Sequence, residues 1–294
     1  MAGDRQRLAF IGLGVMGLPM AGHLAGSGAD ICVYNRTAEK AAQWVETYGG
    51  RSAATPAQAA HAADMVFTCV GNDDDLRAVV AGENGVLAGL AAGAILIDHT
   101  TCSADVTREL AAACTAQGAD MLDAPVSGGE AGAVNGQLTI MVGGAPAVFE
   151  RAKDTLGIYA RAVKLMGDSG AGQLSKMVNQ ICIGGLLQSL SEALLFAEQA
   201  GLDGRAVIEV ISKGAAQSWQ MENRHETMID DKYDFGFAVD WMVKDLTICL
   251  QEAERNGALL PLTELVKSYY EEVQGMGGGR WDTSSLIARL RNMK

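Results

Sequence analysis

Residues 8–24 read Leu8-Ala9-Phe10-Ile11, then Gly12-Leu13-Gly14-Val15-Met16-Gly17, then Leu18-Pro19-Met20-Ala21-Gly22-His23-Leu24. An apolar run, a GxGxxG hexapeptide and an apolar, helix-compatible segment follow one another in the order a dinucleotide-binding unit requires. In such a unit Gly12 permits a tight turn, Gly14 lets the backbone approach a pyrophosphate, and Gly17 lets a helix pack closely on its strand. The helix N-terminus then presents free N–H groups and a positive dipole end to the phosphates. The chain has 36 glycines, so the motif owes its weight to its place between strand and helix. A turn that binds nothing is the plain alternative.

Outward from this turn the pattern alternates. Short apolar stretches at 31–34, 65–70, 94–98 and 119–124 are separated by helical segments, including 38–48 and 103–117. Two more strands are expected at 137–142 and 162–166, around a helix from Pro146. Such alternation predicts a mostly parallel sheet with right-handed crossovers. Beyond Gly170 the sequence turns helical, with a long segment from Gln173 to about Ala200 and helices near 203–213, 238–256, 261–274 and 283–292. The expected fold is α/β, an N-terminal Rossmann-type doubly wound sheet over residues 1–165 and an all-α domain over 166–294. The long helix is apolar on several faces, which predicts burial or a subunit interface, and hence a homodimer or homotetramer.

Length and composition agree with a globular protein. The 294 residues are 49% hydrophobic with only 5 prolines, and the net charge is −12. That charge argues against a nucleic-acid surface or an anionic membrane as partner. No stretch looks long and apolar enough to span a membrane, and no room for a signal peptide precedes the first strand. The 6 cysteines form no CxxC pair and read as small core residues in a reducing compartment. These observations predict a cytoplasmic protein, with no metal site.

The second strand ends Tyr34-Asn35-Arg36-Thr37. NAD-preferring units carry an acidic residue here for the ribose hydroxyls. Asn35 followed by Arg36 favours NADP(H) over NAD(H), because a guanidinium can fork onto a 2′-phosphate. Arg36 as a solvated surface charge is the alternative.

Three further segments carry chemistry. Asp123-Ala124-Pro125-Val126-Ser127-Gly128-Gly129 turns a strand end into a glycine loop, where Ser127 and two amides could hold a carboxylate. In Gly170-Ala171-Gly172-Gln173-Leu174-Ser175-Lys176-Met177-Val178-Asn179-Gln180, residues Lys176, Asn179 and Gln180 share a helix face. Gly172 lies one turn earlier on that face, where a missing side chain would admit a ligand. Burying an ammonium is costly, and desolvation would lower its pKa into a range useful for proton transfer. The third segment is Lys244-Asp245. Alternatives remain for each: a lysine reaching solvent, an ordinary loop, a paired surface charge.

GLGVMGLPMAGHL, DAPVSGG, GAGQLSKMVNQ and MVKDL, in this order and spacing, resemble the β-hydroxyacid dehydrogenase family over essentially the whole chain. Its members include 3-hydroxyisobutyrate dehydrogenases, tartronate semialdehyde (2-hydroxy-3-oxopropionate) reductases and glyoxylate/succinic semialdehyde reductases. The resemblance implies hydride transfer between a nicotinamide and a small carboxylate-bearing β-hydroxy acid or semialdehyde. It implies Lys176 as catalytic acid/base. Ser127, Gly128 and Gly129 are implied on the substrate carboxylate region, with Asn179 or Gln180 assisting. For the cofactor it implies Gly12, Leu13, Gly14, Val15, Met16 and Gly17 at the phosphates and Asn35, Arg36 and Thr37 at the adenosine end. Thr101 and Lys244 fall near the nicotinamide, and Val70 is a backbone position lining the cofactor cleft. The chain departs from the family at Val70-Gly71, where Leu-Pro is common, and at His99, which is read as structural. The related imine reductases are one alternative, and a cofactor-binding protein without turnover is another.

Overall fold

The computed structural model describes residues 5–293. The chain divides into two compact units, Met1–Lys176 and Met177–Lys294, a split that falls inside one long helix.

In the first unit β1 (Arg7–Ile11), the buried LAFI run, leads through the glycine turn to α1 (Gly17–Gly26). There follow β2 (Asp30–Tyr34), α2 (Ala38–Tyr48), β3 (Arg51–Ser52) and α3 (Pro56–Ala60). Next come β4 (Met65–Thr68), α4 (Asp73–Ala81), β5 (Ile95–Asp98), α5 (Ala104–Ala116) and β6 (Asp120–Asp123). The unit closes with β7 (Val126–Ser127), α6 (Gly129–Val134), β8 (Leu138–Gly143), α7 (Pro146–Leu156) and β9 (Ala160–Gly167).

The strands form one sheet in the order β3-β2-β1-β4-β5-β6-β8-β7, with β9 on β8. From β3 to β6 every pair is parallel. β8 then runs antiparallel to both β6 and β7, and β9 parallel to β8. The parallel strands β1, β2, β4, β5 and β6 are buried on both faces, hence their continuous apolar runs. Phe10, Val33, Phe67, Ile97 and Leu122 pack one face, and Ala9, Ile11, Val66 and Leu96 the other.

The second unit is all helix: the body of α8 (Ala171–Gln199), then α9 (Gly204–Ile211), α10 (Trp219–Ile229), α11 (Val239–Asn256), α12 (Pro261–Gly275) and α13 (Leu286–Asn292). The sequence reading passed over α10, because Trp219, Gln220, Glu222, Asn223 and Arg224 dilute its apolar period. A Ser218 cap that accepts the Met221 N–H starts the helix nonetheless.

One expectation about α8 needs correction. Its length and composition are sufficient to cross a membrane, so such a stretch does exist. Within the chain the helix is covered on part of its surface only. Leu187, Leu190 and Leu194 are buried in the helical core, whereas Val178 is 63% exposed and Phe196 73%. Polar Lys176, Gln180 and Gln188 are buried along the same helix.

None of the six cysteines is in a disulfide, and four of them are buried. Among the described residues no cluster of three or more His, Cys, Asp or Glu could hold a metal ion.

Candidate active site

The glycine turn needs glycine at two points for steric reasons. Gly12 has φ +99°, and a Cβ there would overlap the Cys69 carbonyl oxygen. A Cβ on Gly17 would overlap the Gly12 carbonyl oxygen. Gly14 differs: a Cβ would meet nothing within 4 Å, so the space before it is open.

Asn35 braces this turn from β2. Its Oδ1 accepts the Leu13 N–H at 2.9 Å, and its Nδ2 donates to the Thr37 carbonyl at 3.0 Å. Arg36 points outward, 87% exposed, with one amine 3.3 Å from the Asp75 carboxylate.

Helix capping differs among the sheet's crossovers. Thr55, Asn72 and Ser103 cap α3, α4 and α5 with their side chains. At α1, α2 and α6, preceded by Met16, Thr37 and Gly128, no side chain caps the first turn. The α1 terminus also carries no acidic residue. An uncapped, acid-free N-terminus beside the open space at Gly14 fits a dinucleotide pyrophosphate.

Past the ends of β4 and β5 the chain is pinned from inside. The Val70 N–H donates to Thr100 Oγ1 at 3.1 Å. Buried Asp98 accepts from Thr68 Oγ1 at 2.7 Å and from the Thr100 N–H at 3.1 Å. Burial pushes its carboxyl up to about 6 against those hydrogen bonds. His99 is a core residue. Its Nδ1 donates to the Ala124 carbonyl at 2.6 Å, so Nε2 accepts from the Tyr159 hydroxyl at 2.8 Å. Burial lowers its pKa to about 4, and the ring stacks on Phe67. Thr101 follows this pinned pair, partly exposed.

Two residues passed over in the sequence assemble the rest of the first-unit site. Asp123 ends β6 and accepts the Gly170 N–H at 2.8 Å and the Gln173 N–H at 2.9 Å, fixing the start of α8. The Gln173 side chain donates to the Thr100 carbonyl at 2.7 Å and accepts the Cys102 N–H at 3.2 Å. Lys176 stands one turn beyond, only 8% exposed. Ser127 lies four residues past Asp123 and is followed by Gly128 (φ +134°) and Gly129 (φ +61°). A Cβ on Gly129 would meet nothing within 4 Å. The signal for Asp123 and Gln173 was a polar residue within an apolar strand end and another at a helix start.

Gly172 corrects an expectation. A Cβ there would run into the Asp123 and Met141 carbonyl oxygens. Its missing side chain admits the strand ends, not a ligand.

In the second unit, Asn179 Nδ2 donates to Gln180 Oε1 at 2.8 Å, and Gln180 Nε2 donates to Asp245 Oδ2 at 2.6 Å. Lys244 lies 3.0 Å from the other Asp245 oxygen and 5.8 Å from the Trp241 ring. Both ends of the Gln180 amide are thus engaged, and buried Asp245 joins the two segments.

Comparison with known proteins agrees with this geometry. Residues 7–167 match the family described as the NAD binding domain of 6-phosphogluconate dehydrogenase. Residues 170–290 match the NAD-binding family of NADP-dependent 3-hydroxyisobutyrate dehydrogenase. The chain belongs to the β-hydroxyacid dehydrogenase family. An oxidoreductase of Shewanella frigidimarina, named as uncharacterized, is 63% identical, with 98% of this chain and 99% of the relative covered. The 2-hydroxy-3-oxopropionate reductase of Escherichia coli is 37% identical, with 98% of each covered. The solved 3-hydroxyisobutyrate dehydrogenase of Mycobacterium tuberculosis superposes with a TM-score of 0.88 at 28% identity, covering 98% of this chain and 100% of that one. The protein is therefore an NAD(P)-dependent oxidoreductase of the hydroxyacid dehydrogenase type, a Rossmann domain followed by a helical one.

Proposed function

We propose that this β-hydroxyacid dehydrogenase interconverts a small carboxylate-bearing semialdehyde and its β-hydroxy acid, with NADP(H) preferred and Lys176 as acid/base. The observation that carries the reading is a nearly buried lysine, 8% exposed, one turn past a helix start that Asp123 and Gln173 fasten to the ends of β5 and β6. An ammonium so enclosed loses hydration, a cost that function can offset.

The nicotinamide, when bound, supplies or accepts the hydride. The protein does the rest. The turn amides and the α1 terminus hold the pyrophosphate, and Arg36 receives the 2′-phosphate where no carboxylate stands at position 35. Ser127 Oγ and the Gly128 and Gly129 N–H groups hold the substrate carboxylate, which fixes the reacting carbon. In reduction, the Lys176 ammonium donates a proton to the oxygen that becomes the hydroxyl. In oxidation, the neutral amine removes it. Asn179 and Gln180 are proposed to assist at the substrate, and Lys244 at the cofactor.

The test is NADPH and NADH consumption with succinic semialdehyde, glyoxylate and tartronate semialdehyde, beside a cyclic imine. Turnover of a carboxylate-bearing carbonyl, faster with NADPH, supports the reading. Turnover of the imine alone would reassign the chemistry.

The enzyme is also proposed to be a homodimer or homotetramer. Val178, Leu186 and Phe196 on α8 and Leu262 and Leu265 on α12 are exposed in the single chain. Gly185 lies against Leu262, so the two helices present one apolar surface. Light scattering should give at least a dimer mass, and a monomer at working concentration would exclude this.

A further inference from the structure

Among the described residues, Arg36 pairs with a carboxylate that sits on a different element. Its guanidinium lies 3.3 Å from Asp75 Oδ1, in the first turn of α4, where Asp73, Asp74 and Asp75 stand in a row. The three carboxylates have separate tasks. Asp73 accepts the Ser103 N–H at 2.9 Å and the Ser103 hydroxyl at 2.5 Å, tying α4 to the α5 cap. Asp74, almost fully exposed, faces Arg77 one turn on at 3.7 Å. Asp75 alone reaches across to the end of β2.

From this juxtaposition we infer that Asp75 is a specificity-determining residue, a counter-charge that restrains the preference for a 2′-phosphorylated dinucleotide. The inference rests on the reading of Arg36 as the 2′-phosphate ligand. An anion that takes the Arg36 guanidinium must draw it from the Asp75 carboxylate or share it. In either case the anion adds negative charge within a few ångströms of another. A cofactor with a free 2′-hydroxyl leaves the Arg36–Asp75 pair intact and meets no such penalty. The position usually filled by an acidic residue at the end of β2 is Asn35, and that amide is committed to the Leu13 N–H and the Thr37 carbonyl. The carboxylate that discriminates between the cofactors therefore comes from α4. It acts through the arginine rather than through the ribose. Exposed ion pairs of this kind are weak and screened by salt, so the device tunes selectivity and does not set it outright.

The experiment measures kcat/KM for NADPH and NADH in the wild type, Asp75→Asn, Asp75→Ser, Arg36→Ala and the Arg36→Ala/Asp75→Asn double variant, at low and moderate salt. Asp75→Asn and Asp75→Ser should raise kcat/KM for NADPH about three- to tenfold through KM, with NADH changed less than about twofold. The gain should shrink with added salt and in the Arg36→Ala background. A purely structural role for Asp75 at the α4 start would instead move both cofactors and the melting temperature together. If Arg36→Ala costs NADPH tenfold or more while the Asp75 variants leave NADPH unchanged or weaker, Asp75 is not a counter-charge and the NADP reading stands. If Arg36→Ala leaves NADPH untouched, both fall.

Discussion

Asp123 Oδ2 accepts the Gln173 N–H at 2.9 Å, which closes the start of the lysine-bearing helix onto the strand end that continues into Ser127. One carboxylate thus sets the origin of two segments that the proposed chemistry needs. The same carboxylate takes the Gly170 N–H, and burial raises its pKa while these amide bonds oppose the rise. Asp123→Ala leaves two buried amides without acceptors, at a cost of about 2–4 kcal/mol. Chemical denaturation should show that loss, and turnover should fall further than the unfolded fraction explains. Unchanged stability would mean that the helix start holds itself.

The glycine turn separates a steric requirement from a binding one. Gly12→Ala combines an unfavourable positive φ with a clash against Cys69 and should destabilise the Rossmann unit by several kcal/mol. Gly14→Ala meets open space, so its melting temperature should match the wild type while dinucleotide affinity falls at least tenfold. Thermal melts with and without cofactor distinguish them. Normal cofactor affinity in Gly14→Ala would show that the pyrophosphate does not pass over that residue.

Two adjacent buried groups have opposing pH dependence. Asp98 is raised to about 6, chiefly by burial. Its contribution to stability is fully present below about pH 4 and is lost as pH climbs to about 6. His99 is lowered to about 4. Its contribution is fully present above about pH 6.5 and is lost as pH falls toward 4. Each shift is worth about 3 kcal/mol, so between pH 4 and 6 the two largely cancel. His99→Gln removes the rising component. Denaturation across that window should show the variant losing stability with rising pH relative to wild type. Parallel curves would contradict the assignment of a neutral core histidine.

Much of this architecture was legible before any coordinates. The alternation from Leu8 to Ala124 gave the parallel half of the sheet, because strands buried on both faces have continuous apolar runs. The reversal at β7 and β8 was not legible: two-residue Val126–Ser127 carries no period, and its direction follows from tertiary pairing with Leu138–Gly143. The glycine turn, Arg36, Ser127 and Lys176 stood out because their residue types are unusual in place. Asp123 and Gln173 did not, since a buried polar side chain shows its purpose only when its partner arrives from tens of residues away. Gly172 misled for the same reason, as its neighbours are the Asp123 and Met141 backbone.

Turnover of Lys176→Ala tests the central claim most directly, measured with saturating NADPH and whichever carboxylate-bearing semialdehyde the wild type reduces best. The proposed proton transfer requires kcat to fall by about two orders of magnitude or more, with folding and cofactor affinity preserved. A kcat within a few fold of wild type in a folded, cofactor-binding variant would show that another group carries the proton.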